Sequence, residues 1–360
     1  MSILIKKKID KLVKKRRDDK LFRRKLRSKE KQRNLRRNGT GKTKAERKFL
    51  NKFRDYVIIK APINFSFIKE TEGTILFIQK IEKCFQSRNR LFLDLENTEI
   101  LDHSAIIVLL SVMNLFRSKR IGFDGSYPLN KDAAILLYNS GFLKSLYTDN
   151  KRLKYVFGKK NQMFTQENKK VISELGLPLM IEVGSTIYGE KRIFKGLQRV
   201  LLELMQNTNN HAVFEDKGQK NWWLSVNHDK KNKKVTFSFV DYGIGIFESL
   251  KNKPQNNKWY NAFDKIKHLI RYGENNKILE MLLSGELHMT VTGHHFRGKG
   301  LPGINQVLER NQISKLFVVT NDAYAKVHEG KYLKLQNHFS GTFVSWEIND
   351  SNISTEWSIL

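Results

Sequence analysis

The sequence predicts an α/β protein, and three observations lead to this prediction. Short apolar strands alternate with amphipathic helices between residue 56 and about residue 150. Two strand patterns, at 222–226 and 235–240, then follow each other across a polar turn. A helical pattern that starts at Ile304 precedes a last group of strands near the C-terminus. This mixture of the two hydrophobic periods is typical of layered α/β architectures.

Charge divides the 360-residue chain into a basic tail and a globular remainder. Residues 1–55 contain 24 Lys and Arg against 6 Asp and Glu, so they carry +18 of the total charge of +30. Such runs bind nucleic acid phosphates or anionic lipid surfaces, and a solvated helical arm without a ligand is the other interpretation. We expect an extended or helical tail that contacts nucleic acid rather than membrane, because aromatic anchors are few.

Cysteine content and hydropathy limit the class of protein. The single cysteine, Cys84, excludes an internal disulfide framework and a multi-cysteine metal site. No apolar run approaches the roughly 18 residues that a membrane-spanning helix needs, and the N-terminus has no secretory apolar region. We therefore expect a cytoplasmic protein without a transmembrane segment.

Residues 56–150 predict a small α/β layer domain. Strand patterns lie at 56–59, 91–95 and 121–123, and the stretch from Ile75 to Phe85 fits either an amphipathic helix or a strand. The polar residues 102–104 are placed to cap a following apolar helix.

A helical stretch near residue 200 carries an apolar stripe and, beside it, an unusual polar stripe. Glu203, Asn207 and Asn210 occupy the polar stripe. A carboxylate and a carboxamide one turn apart can hold a hard cation and orient a water or a hydroxyl. The alternative is a polar face that only contacts solvent.

Three later motifs give this stripe a context. In chain order they are Asp241 with Gly243 and Gly245, then Gly298, Lys299, Gly300 and Gly303, then Gly341 with Thr342. The glycines allow backbone N–H groups to approach a phosphate, and a helix start favours negative charge. Lys299 and the nearby Arg297 are candidates for contacting a γ-phosphate. Their positive charge would offset the negative charge of the phosphoryl group during transfer.

With these motifs in this order, the segment 181–350 resembles the GHKL ATP-binding domain of gyrase, heat-shock ninety chaperones, histidine kinases and mismatch-repair proteins. Its motif is most similar to that of anti-sigma-factor serine kinases and bacterial sensors, although Thr208 stands where alanine is common. The resemblance implies an α/β sandwich, a mixed sheet with helices on one face, and ATP and Mg²⁺ as cofactors.

The resemblance also implies a role for each matching residue. Glu203 corresponds to the general base or water-polarising carboxylate, Asn207 to the magnesium ligand, and Asp241 to the aspartate that accepts a hydrogen bond from the adenine amino group. The other nucleotide-binding residues that it implies are Gly243, Gly245, Gly298, Lys299, Gly300, Gly303 and Thr342.

Residues 56–150 resemble the STAS fold of anti-sigma-factor antagonists, through the sequences 93–95, 100–105 and 136–142. In those antagonists a partner kinase phosphorylates the serine or threonine directly after an aspartate. Here His103 follows Asp102, and Ser104 comes next. Ser104 is therefore either a helix-cap or first-turn residue, the favoured interpretation, or a shifted phosphoacceptor.

We expect a transition at 151–180, a lid at about 247–297 within the ATP-binding segment, and a tail at 351–360. The predicted function is Mg²⁺-dependent ATP binding, with hydrolysis or transfer of the γ-phosphate to a protein serine or threonine, regulated through the STAS-like domain and involving a protein partner or a homodimer. The alternative is a switch without turnover that contacts nucleic acid through the basic tail. Glu203 favours the enzyme, because a purely structural nucleotide site needs no carboxylate there.

Overall fold

The computed structural model describes residues 52–147, 161–166, 175–211, 222–251, 274–286, 300–352 and 357–359. The chain divides into two compact units, Met1–Tyr56 and Val57–Leu360. Nearly all of the predicted basic tail lies outside the described residues. The predicted α/β class is confirmed, with parallel and antiparallel sheets. No described helix is long and apolar enough to cross a membrane.

Residues 57–147, which we call the N-terminal layer, begin the second unit. From Tyr56 onward the elements are β1 (Tyr56–Lys60), β2 (Asn64–Phe65), α1 (Thr71–Gln86), β3 (Arg90–Asp94), β4 (Ile100–Leu101), α2 (His103–Ser118), β5 (Phe123–Gly125), α3 (Lys131–Asn139) and α4 (Phe142–Tyr147). Strands β1, β3 and β5 form one sheet in that order, and β2 pairs with β4 in parallel. The stretch that fitted a helix or a strand is helical, and Ile75, Ile78 and Ile81 bury one face of it.

The rest of the chain forms a larger sheet with helices. Its elements are β6 (Asn161–Gln166), α5 (Gly176–Tyr188), β7 (Arg192–Phe194), α6 (Lys195–His211), β8 (Trp222–Asp229), β9 (Lys234–Asp241), α7 (Gly245–Lys251), α8 (Asn275–Ser284), α9 (Gly300–Glu309), β10 (Ser314–Lys326), β11 (Lys331–Asn349) and β12 (Trp357–Ile359). Five strands pair in the order β10-β11-β9-β8-β6. All four pairings are antiparallel, which differs from the mixed sheet expected here.

Two segments expected to be irregular contain regular structure. Strand β6 and the start of α5 fall within the expected transition at 151–180, and β6 forms the edge of the five-stranded sheet. Strand β12 falls within the expected tail and pairs with β7. Both pairings join strands that are far apart in the chain, so local sequence patterns do not reveal them.

Helices cover both faces of the five-stranded sheet, whereas the sequence predicted helices on one face. On one face, Phe237 and Trp346 share a core with Leu201 of α6 and with residues of α5, α8 and α9. On the other face, Trp223 and Phe343 share a core with α1 and α2 of the N-terminal layer. The N-terminal layer therefore covers a sheet face that would otherwise expose large apolar side chains.

Candidate functional site

Helix α6 separates its apolar and polar residues. Leu197, Val200 and Leu204 are buried in the core beneath the helix. Glu203 and Asn207 are partly exposed, and they lie one turn apart on the same side. The structure therefore places a carboxylate and a carboxamide side by side at the rim of the core, where a ligand can reach them.

Asp241, the last residue of β9, is anchored by the backbone on both sides. Its Oδ1 accepts hydrogen bonds from the N–H of Gly243 and from the N–H of Thr342, each 3.2 Å long. Its Oδ2 lies 3.5 Å from the Thr208 hydroxyl, which also donates to the carbonyl of Leu204. Among the described residues, no other hydrogen bond reaches Oδ2. Asp241 thus joins the sheet end to α6 and keeps acceptor capacity on one oxygen.

Burial controls the charge of this carboxyl. It raises the pKa of Asp241 to about 6, while the hydrogen bonds from Gly243, Thr342 and Thr208 act in the opposite direction. A carboxyl in this state is largely ionised at neutral pH, yet it is poorly solvated. A hydrogen-bond donor on a ligand that reached Oδ2 would stabilise the ionised form of this carboxyl.

Asp241 belongs to a polar row that crosses the sheet end. In register, Asp241 lies opposite Thr342, and Thr342 lies opposite Thr320. The Thr320 hydroxyl donates to the Gly341 carbonyl at 3.1 Å and accepts from the Ile246 N–H at 3.1 Å. Paired residues in a sheet point to the same side, so this row faces the same side as the core under α6.

Two glycines are required at this end of the sheet. Gly245 has a φ of 77°, and an added Cβ would overlap the Asn321 side chain. Gly341 has a φ of 134°, and its added Cβ would overlap the carbonyl of Asp241. Both positions combine a backbone conformation that favours glycine with a close approach of neighbouring atoms.

The second glycine motif is described in part. Arg297, Gly298 and Lys299 lie outside the described residues, and Gly300 is the first residue of α9. A Cβ at Gly303 would lie 3.4 Å from Nη2 of Arg199 on α6. Helix α9 therefore packs closely against the helix that carries Glu203 and Asn207.

A tyrosine beside the site connects it to the N-terminal layer, and sequence patterns did not single it out. Tyr242 is buried and packs edge-on against Phe339. It belongs to the same core as Ile78 and Ile81 of α1. Burial raises the pKa of the nearby Glu82 carboxyl on α1 to about 7, and Tyr242 acts in the opposite direction. The only signal in the sequence was the position of Tyr242 directly after Asp241.

The serine at the phosphoacceptor-like position of the N-terminal layer is part of a buried network. Ser104 is 3% exposed, donates to Asp102 and accepts from the Phe67 N–H at 2.9 Å. Asp102 also accepts from Ser66 and from the Ala105 N–H, so it caps α2. Burial lowers the pKa of the adjacent His103 to about 4, with Asp102 opposing that shift. These contacts agree with the interpretation of Ser104 as a first-turn residue.

No protein-family model, curated protein or solved structure matches this chain. The functional conclusion therefore rests on the geometry of Asp241, α6 and the glycine-containing loop. Helix α6 and the segment of Asp241 with its loop come from separate parts of the sequence, and the fold brings them together at one end of one sheet.

Proposed function

We propose that residues 181–350 bind ATP with Mg²⁺ in the manner of the GHKL domains. One observation carries the proposal: Asp241, fixed by two backbone N–H groups, holds a partly free carboxylate oxygen beside the helix that bears Glu203 and Asn207. Such a carboxylate fits the exocyclic amino group of adenine, which is a hydrogen-bond donor.

The direction of α6 supports one arrangement of the nucleotide. Thr208 lies next to Asp241, at the base end of the site. Glu203 lies five residues earlier, which is about 7.5 Å along the helix axis. The base would therefore contact Asp241, while the phosphates would extend along α6 towards Glu203.

The polar stripe of α6, from Asn207 to Glu203, suits a magnesium triphosphate. Asn207 offers a carbonyl oxygen, and Mg²⁺ prefers a few oxygen ligands together with phosphate oxygens and water. Glu203, one turn away, is placed to orient a water or a hydroxyl for attack. The glycines before α9 and the start of that helix would contribute backbone N–H groups to the phosphates. Arg297 and Lys299 remain sequence-based candidates for the γ-phosphate.

The reaction that we propose is ATP hydrolysis, or transfer of the γ-phosphate to a serine or threonine of a partner protein. The N-terminal layer, which we propose to be STAS-like, would regulate it. This role is supported by the packing of α1 and α2 against the sheet that ends in Asp241. Tyr242, the residue after Asp241, belongs to the core that the sheet shares with α1 and α2. Contact of the basic tail with nucleic acid stays a prediction.

Nucleotide binding and Mg²⁺-dependent turnover by the full chain test this proposal. Glu203→Ala should abolish turnover and leave ATP affinity within about threefold, because the carboxylate acts on the attacking group. Glu309→Ala is the matched control, since Glu309 is an exposed glutamate on α9, and it should change neither quantity.

Each outcome has a separate meaning. Unchanged turnover in Glu203→Ala would remove this residue from the catalytic role. Binding without turnover in the wild-type protein would favour the ATP-dependent switch, and absence of binding would refute the proposed function as a whole.

A further inference from the structure

One buried side chain, Asn321 on β10, holds the loop that follows Asp241. Asn321 is 2% exposed. Its Oδ1 accepts from the Phe247 N–H at 3.2 Å, and its Nδ2 donates to the Ile244 carbonyl at 3.0 Å. These two partners define the orientation of the amide, because a flipped amide would place acceptor against acceptor and donor against donor. The two polar atoms of one amide group thus hold the loop 243–247, an arrangement that we call the clamp.

The backbone at Asn321 is as specialised as its side chain. Its φ is 50°, a left-handed conformation that asparagine tolerates better than most residues. It lies where the pairing of β10 with β11 shifts register. The left-handed Gly245 faces it and leaves the space that the amide occupies. Asn321 and Gly245 therefore fit each other in both shape and backbone conformation.

A third contact of the Asn321 side chain involves β11. Its Nδ2 lies 3.0 Å from Nε2 of His338 on β11. The His338 carbonyl accepts from Gln79 of α1 at 2.8 Å, and Glu72 of α1 accepts from the backbone N–H groups of Gln336 and Asn337. The strand segment next to Asn321 is therefore tied to the N-terminal layer.

We propose that Asn321 is a positioning residue for the base end of the site. By holding Ile244 and Phe247, it keeps the Gly243 N–H directed at Oδ1 of Asp241, so that Oδ2 faces the ligand. Asn321 does not contact the nucleotide; it acts through Asp241. This inference rests on the proposed function, because it assigns Asp241 to the adenine amino group.

Two substitutions in the full chain separate the effect of the Asn321 amide from the effect of its backbone conformation. Asn321→Asp keeps the size and the acceptor for Phe247 N–H, but it directs an oxygen at the Ile244 carbonyl. Asn321→Gly favours the left-handed backbone and removes every side-chain contact. The matched control is Asn311→Asp: Asn311 also has a left-handed φ, of 53°, and its Nδ2 donates to the Ser351 carbonyl at 3.2 Å.

The readout is the ratio of the affinities for Mg-ATP and Mg-ITP, measured by calorimetry. Inosine triphosphate has an oxygen in place of the amino group, so it lacks the donor for Asp241. In both Asn321 variants the ATP affinity should fall about tenfold, as loss of a hydrogen bond to a charged group implies, while the ITP affinity changes much less. The Asn311→Asp protein should keep the wild-type ratio.

An equal loss of affinity for both nucleotides would overturn the proposal, because general destabilisation does not discriminate between the bases. An unchanged ratio in both variants would also overturn it. If the wild-type protein binds neither nucleotide, the proposed function fails, and amide hydrogen exchange of 242–248 still tests the clamp. Faster exchange in the Asn321 variants than in the control would support the clamp, and equal exchange would refute it.

Discussion

Two aspartates in this protein lie at strand ends among hydroxyl and N–H donors, yet they differ in how much hydrogen-bond acceptor capacity their carboxylate oxygens retain. Asp102, after β4, accepts from Ser66, Ser104 and the Ala105 N–H, and both of its oxygens are engaged. Asp241, the last residue of β9, has two bonds on Oδ1 and a single 3.5 Å contact on Oδ2. The comparison shows that the acceptor capacity left unused, rather than the residue type or its place in a strand, separates a structural carboxylate from a candidate binding group.

The largest expected effect is on stability, at Asp102. Asp102→Ala removes the cap of α2 and leaves the hydroxyls of Ser66 and Ser104 buried without their acceptor. The free energy of unfolding should fall by about 3 kcal/mol. Urea denaturation measures the change. The control is Asp132→Ala, in the exposed first turn of α3, with an expected change below about 0.5 kcal/mol. A loss below about 1 kcal/mol at Asp102 would contradict the structural role.

The second effect is on binding, at Asp241. Asp241→Asn keeps an oxygen that can accept from Gly243 and Thr342, so at about pH 4, where Asp241 of the folded protein is still protonated, the free energy of unfolding should change by less than about 1 kcal/mol. Affinity for Mg-ATP should fall on the order of 10- to 100-fold, because the amino group loses a charged acceptor. Calorimetry on the two proteins checks this. Stability loss without a change in affinity would make Asp241 a second structural carboxylate.

The third effect is a pH dependence. The pKa of Asp241 in the folded protein, about 6, lies above its ordinary value of 3.8, so the folded state retains the proton where the unfolded state releases it. The stability that this group contributes is present below about pH 4 and is lost as the pH rises to about 6. Mg-ATP affinity should increase over the upper part of the same range, as the carboxylate forms.

The measurement compares wild-type protein with Asp241→Asn from pH 4 to pH 8. The difference in unfolding free energy should change between pH 4 and pH 6 and stay constant above. Glu82 also has a raised pKa, but it is present in both proteins and its contribution cancels. A pH-independent difference would show that the pKa of Asp241 is not raised in the folded protein.

The smallest effect is expected at Thr208. Thr208→Ala removes a long, 3.5 Å contact to Asp241 and a bond to the Leu204 carbonyl within the same helix. Alanine is the better helix former, which offsets part of the loss. We expect a change within about 1 kcal/mol in stability and within about threefold in Mg-ATP affinity. A larger loss of affinity would assign the Thr208 hydroxyl to the ligand.

Local patterns in the sequence predicted what depends on near neighbours in the chain. The apolar spacing of α6 and the buried strand before Asp241 were predicted from the residues themselves, because hydrophobic periods of 3.6 and 2 reflect which side of an element is buried. A cap among residues 102–104 was predicted for the same reason, since a cap involves residues three apart, and the structure assigns it to Asp102. The sequence left helix and strand open at Ile75–Phe85, because a short apolar run fits both periods, and the structure has a helix there.

Tertiary structure alone decided the features that join distant residues. The position of β6 at the sheet edge, the covering of the second sheet face by the N-terminal layer, and the clamp of Asn321 on a loop 74 to 77 residues earlier in the chain depend on long-range packing. Asparagine at 321 carried no signal, because its role depends on a backbone conformation and on partners that the sequence does not place beside it. The sequence determined which residues could carry the chemistry. Packing decided which of them keep a carboxylate oxygen that can still accept a hydrogen bond from a ligand, because the internal hydrogen bonds of a side chain form only when the chain folds.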